Sequence, residues 1–161
     1  NRSDDTGMLL HTPVKGLAAN TSYTGVFKAT MATNVNNMCF GIGGAPHSVY
    51  VKSGLSVEAP KAISVENDEH YRINIELGNN MQEGANGLTL GDIGSEKLAD
   101  CDPGSNLFDL KSFDSERLEK SFSITTDDTG ILYFSLGTDS GFEGPTTVLF
   151  TDASVSFKRV E

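Results

Sequence analysis

The sequence predicts an all-β protein: a two-sheet antiparallel β-sandwich of jelly-roll-like form, with about ten strands and almost no helix. Short segments in which every second residue is apolar recur along the chain, as half-buried strands require. Turn-forming runs such as Asp127-Asp128-Thr129-Gly130 separate these segments. Helical periodicity is nearly absent, and only residues 114–120 have the composition for a helical turn.

In the first half of the chain, the apolar alternation recurs in six segments. The clearest runs from Tyr71 to Leu77, where apolar residues alternate with Arg72, Asn74 and Glu76. In chain order the expected strands are residues 8–10, ended near Pro13; 23–31, ended by Asn34 to Asn37; 49–51, ended by Ser53-Gly54; 63–65; 71–77, ended by the polar segment 78–87; and 88–90.

In the second half, residues 94–115 show no alternation, and we expect irregular structure there. Alternation resumes in the last forty or so residues, and it is the strongest signal for a sandwich. The expected strands are residues 118–124, 132–136, 148–150 and 153–157.

The apolar positions change phase within the final alternating stretch. They are even-numbered at Val148 and Phe150 but odd-numbered at Val155 and Phe157. A strand with a period of two cannot change phase without an extra residue. We therefore predict a β-bulge or a strand break at Thr151-Asp152.

Length and composition indicate one globular domain over residues 1–161. Apolar residues make up 37% of the chain and charged residues 21%, values typical of a folded protein. The 12 basic and 22 acidic residues give a net charge of −10. Such a charge repels phosphate backbones and anionic lipid, so we expect no nucleic-acid partner. No apolar stretch has the length of a transmembrane helix.

The two cysteines, Cys39 and Cys101, lie far apart in Gly-, Asn- and Asp-rich segments. A disulfide between them would close a long loop and stabilise the fold by about 4 kcal/mol. We predict this disulfide, with two free structural thiols as the alternative. It favours an extracellular, periplasmic or other cell-envelope location, where disulfides persist. The chain opens at Asn1 without an export signal, so we expect any signal or lipid anchor to have been removed.

Two segments resemble jelly-roll carbohydrate-binding modules. Leu17-Ala-Ala-Asn20-Thr-Ser-Tyr23-Thr resembles an early strand of these modules, and Val148-Leu-Phe-Thr-Asp152-Ala-Ser-Val155 resembles their closing strand. The resemblance implies a jelly-roll fold and a carbohydrate ligand. Those modules usually begin with a further strand, so either an N-terminal strand is missing here or the topology differs. The chain contains no Trp, and we do not expect a flat platform of the kind that binds cellulose.

A second resemblance is to bacterial envelope proteins of unknown function. It rests on segments 1–5, Gly43-Gly-Ala-Pro46 and Gly137-Thr-Asp-Ser-Gly-Phe-Glu-Gly144. This resemblance implies a location in the envelope and no particular activity.

The long polar segment 78–87 is the first candidate for a ligand site. Asn, Gln and Glu side chains donate and accept hydrogen bonds, as sugar hydroxyls require. Long connections are more often functional than short ones, although a mobile hairpin loop is the alternative. The predicted ligand-binding residues are Asn79, Asn80, Gln82, Glu83 and Asn86, with Arg72 on the neighbouring strand.

The segment Asp139-Ser-Gly-Phe-Glu143 is a candidate for a structural Ca²⁺ site. Carboxylate and hydroxyl oxygens are the hard ligands that Ca²⁺ prefers, and the flanking glycines allow carbonyl groups to turn inward. We predict Asp139, Glu143 and Asp152 as ligands. The alternative is a hydrogen-bonded turn in which Asp139 caps backbone amides.

Three functions are compatible with these features. The first is a non-catalytic secreted or envelope module, with a glycan as the leading ligand. The second is a structural or adhesive envelope protein without a small-molecule site, which would present an exposed apolar patch or an edge strand to partner proteins. The third is a sandwich-fold lyase or hydrolase, but no motif nominates catalytic residues. The sequence does not separate the first two.

Overall fold

The computed structural model describes residues 6–41, 43–65, 70–102 and 104–160, and the regular secondary structure in this part of the chain is almost entirely β-strand. Segment 1–5, which carries part of the envelope-protein resemblance, lies outside the described residues. The strands are β1 (Thr6–Val14), β2 (Ser22–Thr33), β3 (Val49–Ser56), β4 (Ala62–Ser64), β5 (Tyr71–Ile73), β6 (Gly87–Asp92), β7 (Asp109–Asp114), β8 (Phe122–Thr125), β9 (Leu132–Ser140) and β10 (Val148–Arg159). A 3₁₀ turn, Pro46–Ser48, precedes β3.

Two antiparallel sheets form the sandwich, which confirms the predicted fold class. Sheet A has the order β1-β9-β3-β6. Sheet B has the order β10-β2-β7, and β8 pairs with the end of β2 that β7 leaves open. Among the strands of the described residues, β4 and β5 pair only with each other, as a two-stranded sheet. Among the described residues, no helix has the length and apolarity needed to cross a membrane.

The core lies between the inner faces of the two sheets, where the predicted alternation places the large apolar residues. Phe27 of β2 is fully buried and stacks on Phe134 of β9, with ring centroids 6.1 Å apart. The strands around them contribute the buried residues Ala29, Met31, Val49, Val51, Leu55, Leu88, Leu90, Leu132 and Leu136. Burial of this apolar area is the main term that stabilises the sandwich.

One lateral side of the sandwich is closed by charged side chains that join β6 to the β7–β8 region. Lys111 of β7 forms an ion pair with Asp92 of β6 at 3.0 Å. Lys120, in the turn between β7 and β8, donates to the carbonyl oxygen of Thr89 at 2.8 Å. The opposite side is bounded by β1 and β10, the two strands at the other ends of their sheets.

The predicted bulge and the predicted disulfide are both confirmed. The register between β10 and β2 shifts between Phe150 and Asp152, so Thr151 is the extra residue. Cys39 and Cys101 are bonded, with Cα atoms 5.5 Å apart and a sequence separation of 62 residues. The bond joins the segment after β2 to the segment before β7.

Strand β7 was missed by the sequence prediction, which treated residues 94–115 as irregular. The strand pairs with β2, and Asp109, Lys111 and Phe113 face the same side as Thr33, Met31 and Ala29. Two of those three inward positions are charged, so no apolar alternation marks the strand. The charges are tolerated because Asp109 accepts hydrogen bonds from Ser95 and Lys97, while Lys111 reaches Asp92.

Two other predicted strands are shorter than expected. The strand predicted over residues 71–77 ends at Ile73, and Ile75 and Leu77 are buried beyond its end. Leu118 lies in the turn before β8 and is 45% exposed, because β8 begins only at Phe122.

Candidate functional site

The outer face of sheet A carries polar residues and glycines at its centre. Tyr50, Lys52, Gly54 and Ser56 of β3 alternate with the core residues of that strand and point to the other side. On β9, Asp139 lies opposite Tyr50, and Gly137 lies opposite Lys52. This face is therefore suited to contact polar groups or another segment of backbone.

The segment that follows β3 folds over this outer face, and we call its described residues, 57–65 and 70–86, the covering segment. The carbonyl oxygen of Asn86 and the side chain of Leu77 lie so close to Gly54 that a Cβ there would collide with both. Gly87 of β6 is in a similar position, since a Cβ there would lie 2.7 Å from Leu77 Cδ2. Asn86 Oδ1 accepts a hydrogen bond from the N–H of Glu76 at 2.9 Å, which joins two parts of the segment just before β6. Glycine is required at position 54 because only it allows this close approach.

A cleft of about 1130 Å³ lies between sheet A and this covering segment. We call it the β4–β5 cleft. From the sheet it is lined by Leu9 and His11 of β1, Lys52 of β3 and Asp139 of β9. This volume is slightly above the range of about 300–1,000 Å³ that is typical of pockets for small organic ligands.

The covering segment supplies the other wall of the β4–β5 cleft. His70 lines it from the residue before β5, Tyr71 and Arg72 line it from β5 itself, and Glu76 and Asn79 line it from the segment after that strand. Tyr71 is 76% exposed, so most of this residue is open to solvent where it lines the cleft. The wall thus combines an open aromatic ring with cationic, amide and carboxylate groups.

Lys52 is the buried charged group of the site, with 2% of its surface exposed. Its Nζ donates to the carbonyl oxygen of Gln82 and to the Thr89 hydroxyl, each at 2.8 Å. Burial lowers the pKa of Lys52, while the negative charges of Asp139 and Glu83 oppose that shift. Because Gln82 belongs to the covering segment, Lys52 fixes that segment to the sheet.

The predicted ligand residues divide into two groups. Arg72 and Asn79 line the β4–β5 cleft. The other four hold the covering segment in place. Asn80 donates its N–H to Asp139 Oδ2 at 2.6 Å, Gln82 accepts from Lys52, Glu83 pairs with Lys120 at 2.7 Å, and Asn86 bonds to Glu76 and Leu55.

The predicted calcium ligands lie on different elements. Asp139 is in β9 of sheet A, Glu143 follows that strand, and Asp152 is an exposed residue of β10 in sheet B. Asp139 accepts a hydrogen bond from the backbone N–H of Asn80, which belongs to the covering segment and not to the turn that follows β9. Within the described ranges, no group of three or more His, Cys, Asp or Glu side chains is placed to hold a metal ion. The calcium site stays a prediction, and thermal melting with Ca²⁺ and with EDTA is its test.

Sequence reasoning missed His11, His70 and Tyr71 as members of one site. Tyr71 was expected inside an alternating strand, and its exposure follows from the position of β5 in a separate two-stranded sheet. The three residues come from β1 and from the start of β5, segments that are sixty residues apart in the chain. The sequence signal that could have indicated two of them is the run His70-Tyr71-Arg72, in which three consecutive side chains can stack or hydrogen-bond.

Comparisons with known protein families, with curated proteins and with solved structures gave no significant match.

Proposed function

We propose that this chain is a non-catalytic secreted or cell-envelope domain that binds carbohydrate in the β4–β5 cleft. The observation that carries the proposal is the exposed ring of Tyr71 in a cleft whose walls also present Arg72 and Asn79. A ring stacks on the apolar face of a sugar, and the polar groups around it satisfy the sugar hydroxyls.

The polar groups of the cleft supply both kinds of hydrogen-bonding partner. Arg72 provides donors, Glu76 and Asp139 provide acceptors, and the amide of Asn79 provides both. A sugar hydroxyl donates one hydrogen bond and accepts others, so a mixed set of this kind suits it better than a set of one charge. A single open ring favours a short stretch of a soluble glycan over a flat crystalline surface.

The disulfide supports the proposed location. Bonds such as Cys39–Cys101 persist in the periplasm and outside the cell, whereas cytosolic thiols are kept reduced. The net charge of −10 is also suited to solubility in those compartments.

Isothermal titration calorimetry against a panel of soluble oligosaccharides tests the proposal. We expect the wild-type chain to bind at least one of them, and Tyr71→Ala to weaken that binding about tenfold or more. Phe40→Ala is the matched control, because Phe40 is 83% exposed and is not among the residues that line the cleft. It should leave the affinity unchanged. Equal effects of the two variants would contradict binding at the cleft.

A structural or adhesive envelope protein is the second candidate, and a different surface favours it. Met38, Phe40, Leu107 and Leu110 are exposed by 71%, 83%, 66% and 61%. Met38 and Phe40 flank the disulfide-bonded Cys39, and Leu110 lies in β7 opposite Ala32 of β2. Exposed apolar residues in one region are typical of surfaces that contact other proteins. If the wild-type chain bound no oligosaccharide of the panel, that result would favour this second candidate over carbohydrate binding.

A further inference from the structure

Strand β10 is a long edge strand. It spans Val148–Arg159 and lies at the end of sheet B, paired with β2. Among the described residues, no strand pairs with its other edge. An edge of this length presents a row of backbone donors and acceptors that can pair with another strand.

The direction of the backbone groups follows from one hydrogen bond. The N–H of Val160 donates to the carbonyl oxygen of Ser22 at 2.9 Å. Hydrogen-bonded pairs alternate along an antiparallel ladder, so the even-numbered residues from Asp152 to Lys158 direct their backbone groups toward β2. The odd-numbered residues Ala153, Val155 and Phe157 therefore direct theirs to the open edge.

The side chains of this stretch are self-complementary about Val155. Asp152 and Lys158 are both exposed, and each lies three residues from Val155, on opposite sides of it. If two copies of β10 pair antiparallel with Val155 opposite Val155, each Asp152 faces a Lys158 of the second copy. Registers centred on Ser154 or Ser156 place Asp152 opposite Ser156 or Val160 instead, and they lose both charge pairs.

The same register also matches side-chain size on the other face of the strand. Ala153 of one copy lies opposite Phe157 of the other, so a small residue meets a large one on each side of the twofold axis. The bulge at Thr151 ends the regular stretch directly beyond Asp152. The regular part of the strand thus coincides with the part that is self-complementary.

We propose that two copies of this chain associate through antiparallel pairing of β10 with β10, centred on Val155. The pairing joins the two B sheets into one continuous sheet and leaves the β4–β5 cleft, which faces the outside of sheet A, open in both copies. Opposite charges directly across an antiparallel pair stabilise it, and like charges destabilise it. The association depends on no ligand and is independent of the proposed carbohydrate binding.

One existing contact competes with the proposed charge pairs. Lys158 Nζ lies 3.3 Å from Glu116 Oε1 in the same chain, and the two side chains are 71% and 61% exposed. Ion pairs that are this exposed contribute little to stability. Lys158 can therefore exchange Glu116 for Asp152 of the second copy at little cost.

Sedimentation-equilibrium ultracentrifugation of the wild-type chain tests the association. We expect the average mass to rise from 17.2 kDa toward twice that value as concentration increases. The range from about 10 µM to about 1 mM covers the affinities of small interfaces. Asp152→Lys and Lys158→Glu should each weaken the association about tenfold or more, because each places like charges opposite one another.

Charge restoration makes the test specific for the register. A mixture of the two single variants should associate, because a mixed pair has two opposite-charge contacts. The lysine introduced at position 152 faces the glutamate introduced at position 158, and the native Lys158 faces the native Asp152. The double variant Asp152→Lys/Lys158→Glu should also associate, again through two opposite-charge pairs. Glu116→Gln is the matched control; it removes the competing contact without touching the edge, and it should not weaken the association.

Circular dichroism melts of each variant separate loss of association from loss of the fold. A wild-type chain that stays monomeric over the whole range would overturn the proposal. So would a dimer that neither single variant weakens, or weakened variants whose mixture and double variant both fail to associate.

Discussion

The ammonium group of Lys52 lies 2.8 Å from the carbonyl oxygen of Gln82 and joins the floor of the β4–β5 cleft to its covering segment. The same group donates to the Thr89 hydroxyl, which in turn donates to the carbonyl oxygen of Asn80 at 3.3 Å. Asp139 holds the N–H of Asn80 from the neighbouring strand. A small buried polar network thus fixes the segment that carries Asn79, which lines the cleft.

Replacement of Lys52 by Met should loosen the covering segment while the sandwich stays folded. Met fills a similar volume but cannot donate to Gln82 or Thr89, and hydrogen bonds from a charged donor contribute about 1.5–3 kcal/mol each. We expect amide exchange in residues 78–87 to accelerate about tenfold or more. Hydrogen exchange followed by mass spectrometry measures this. Lys61→Met is the control, because Lys61 is exposed; equal acceleration in both variants would contradict a fixing role for Lys52.

Alanine at position 54 should destabilise the fold by about 1–3 kcal/mol, as overpacking of a tight contact does. Its Cβ would collide with the carbonyl oxygen of Asn86 and lie 2.8 Å from Leu77 Cδ2. Gly7→Ala in the same sheet is the matched control, because a Cβ there meets no atom within 4 Å. Thermal denaturation of the two variants compares them. A melting temperature that drops equally in both would show that the covering segment does not constrain Gly54.

Loss of the disulfide should lower the free energy of unfolding by about 4 kcal/mol, as expected for release of a loop of this length from the unfolded chain. The double variant Cys39→Ala/Cys101→Ala removes it, and Ala is suited to the buried position 39 because it is apolar and smaller than Cys. Chemical denaturation of both proteins measures the difference. Reductant should destabilise the wild-type chain and leave the double variant unchanged. A difference under about 1 kcal/mol would contradict the chain-entropy account.

The sandwich could be predicted because its long strands face the core with apolar residues at every second position. Phe27 of β2, Phe134 of β9 and Phe157 of β10 each belong to such a series. The position of the bulge could be predicted for the same reason, since a change of phase requires an extra residue or a strand break at that point.

The cleft and strand β7 could not be predicted from these patterns. The inward residues Asp109 and Lys111 are charged, and ion pairs with residues of other segments stabilise them there. The cleft depends on strand order, which brings His11 of β1 and Asp139 of β9 to one face. Tyr71 has the alternation of a sandwich strand but lies in a separate two-stranded sheet, where alternation does not imply burial.

Acidification should reduce the stabilising effect of Asp109. Hydrogen bonds from Lys97 and Ser95, at 2.9 and 2.8 Å, hold the pKa of the Asp109 carboxyl below its ordinary value of 3.8. A carboxyl whose pKa is lower in the folded than in the unfolded chain stabilises the fold fully when the pH is above the unfolded pKa. That contribution is lost as the pH falls through the folded pKa. Wild type should therefore melt above Asp109→Asn at neutral pH, and the gap should close below about pH 4.

Melting curves from about pH 7 to about pH 2 follow this gap through the whole transition. Lys97→Met removes the first of the two donors, so only Ser95 still donates to the carboxylate. At neutral pH, the difference in melting temperature between Lys97→Met and Asp109→Asn should therefore be smaller than the difference between the wild type and Asp109→Asn. Lys97 is 74% exposed, so added salt should shrink the Lys97 contribution more than that of Ser95. A difference in melting temperature between the wild type and Asp109→Asn that stays constant at every pH would show that the charge of Asp109 does not stabilise the fold.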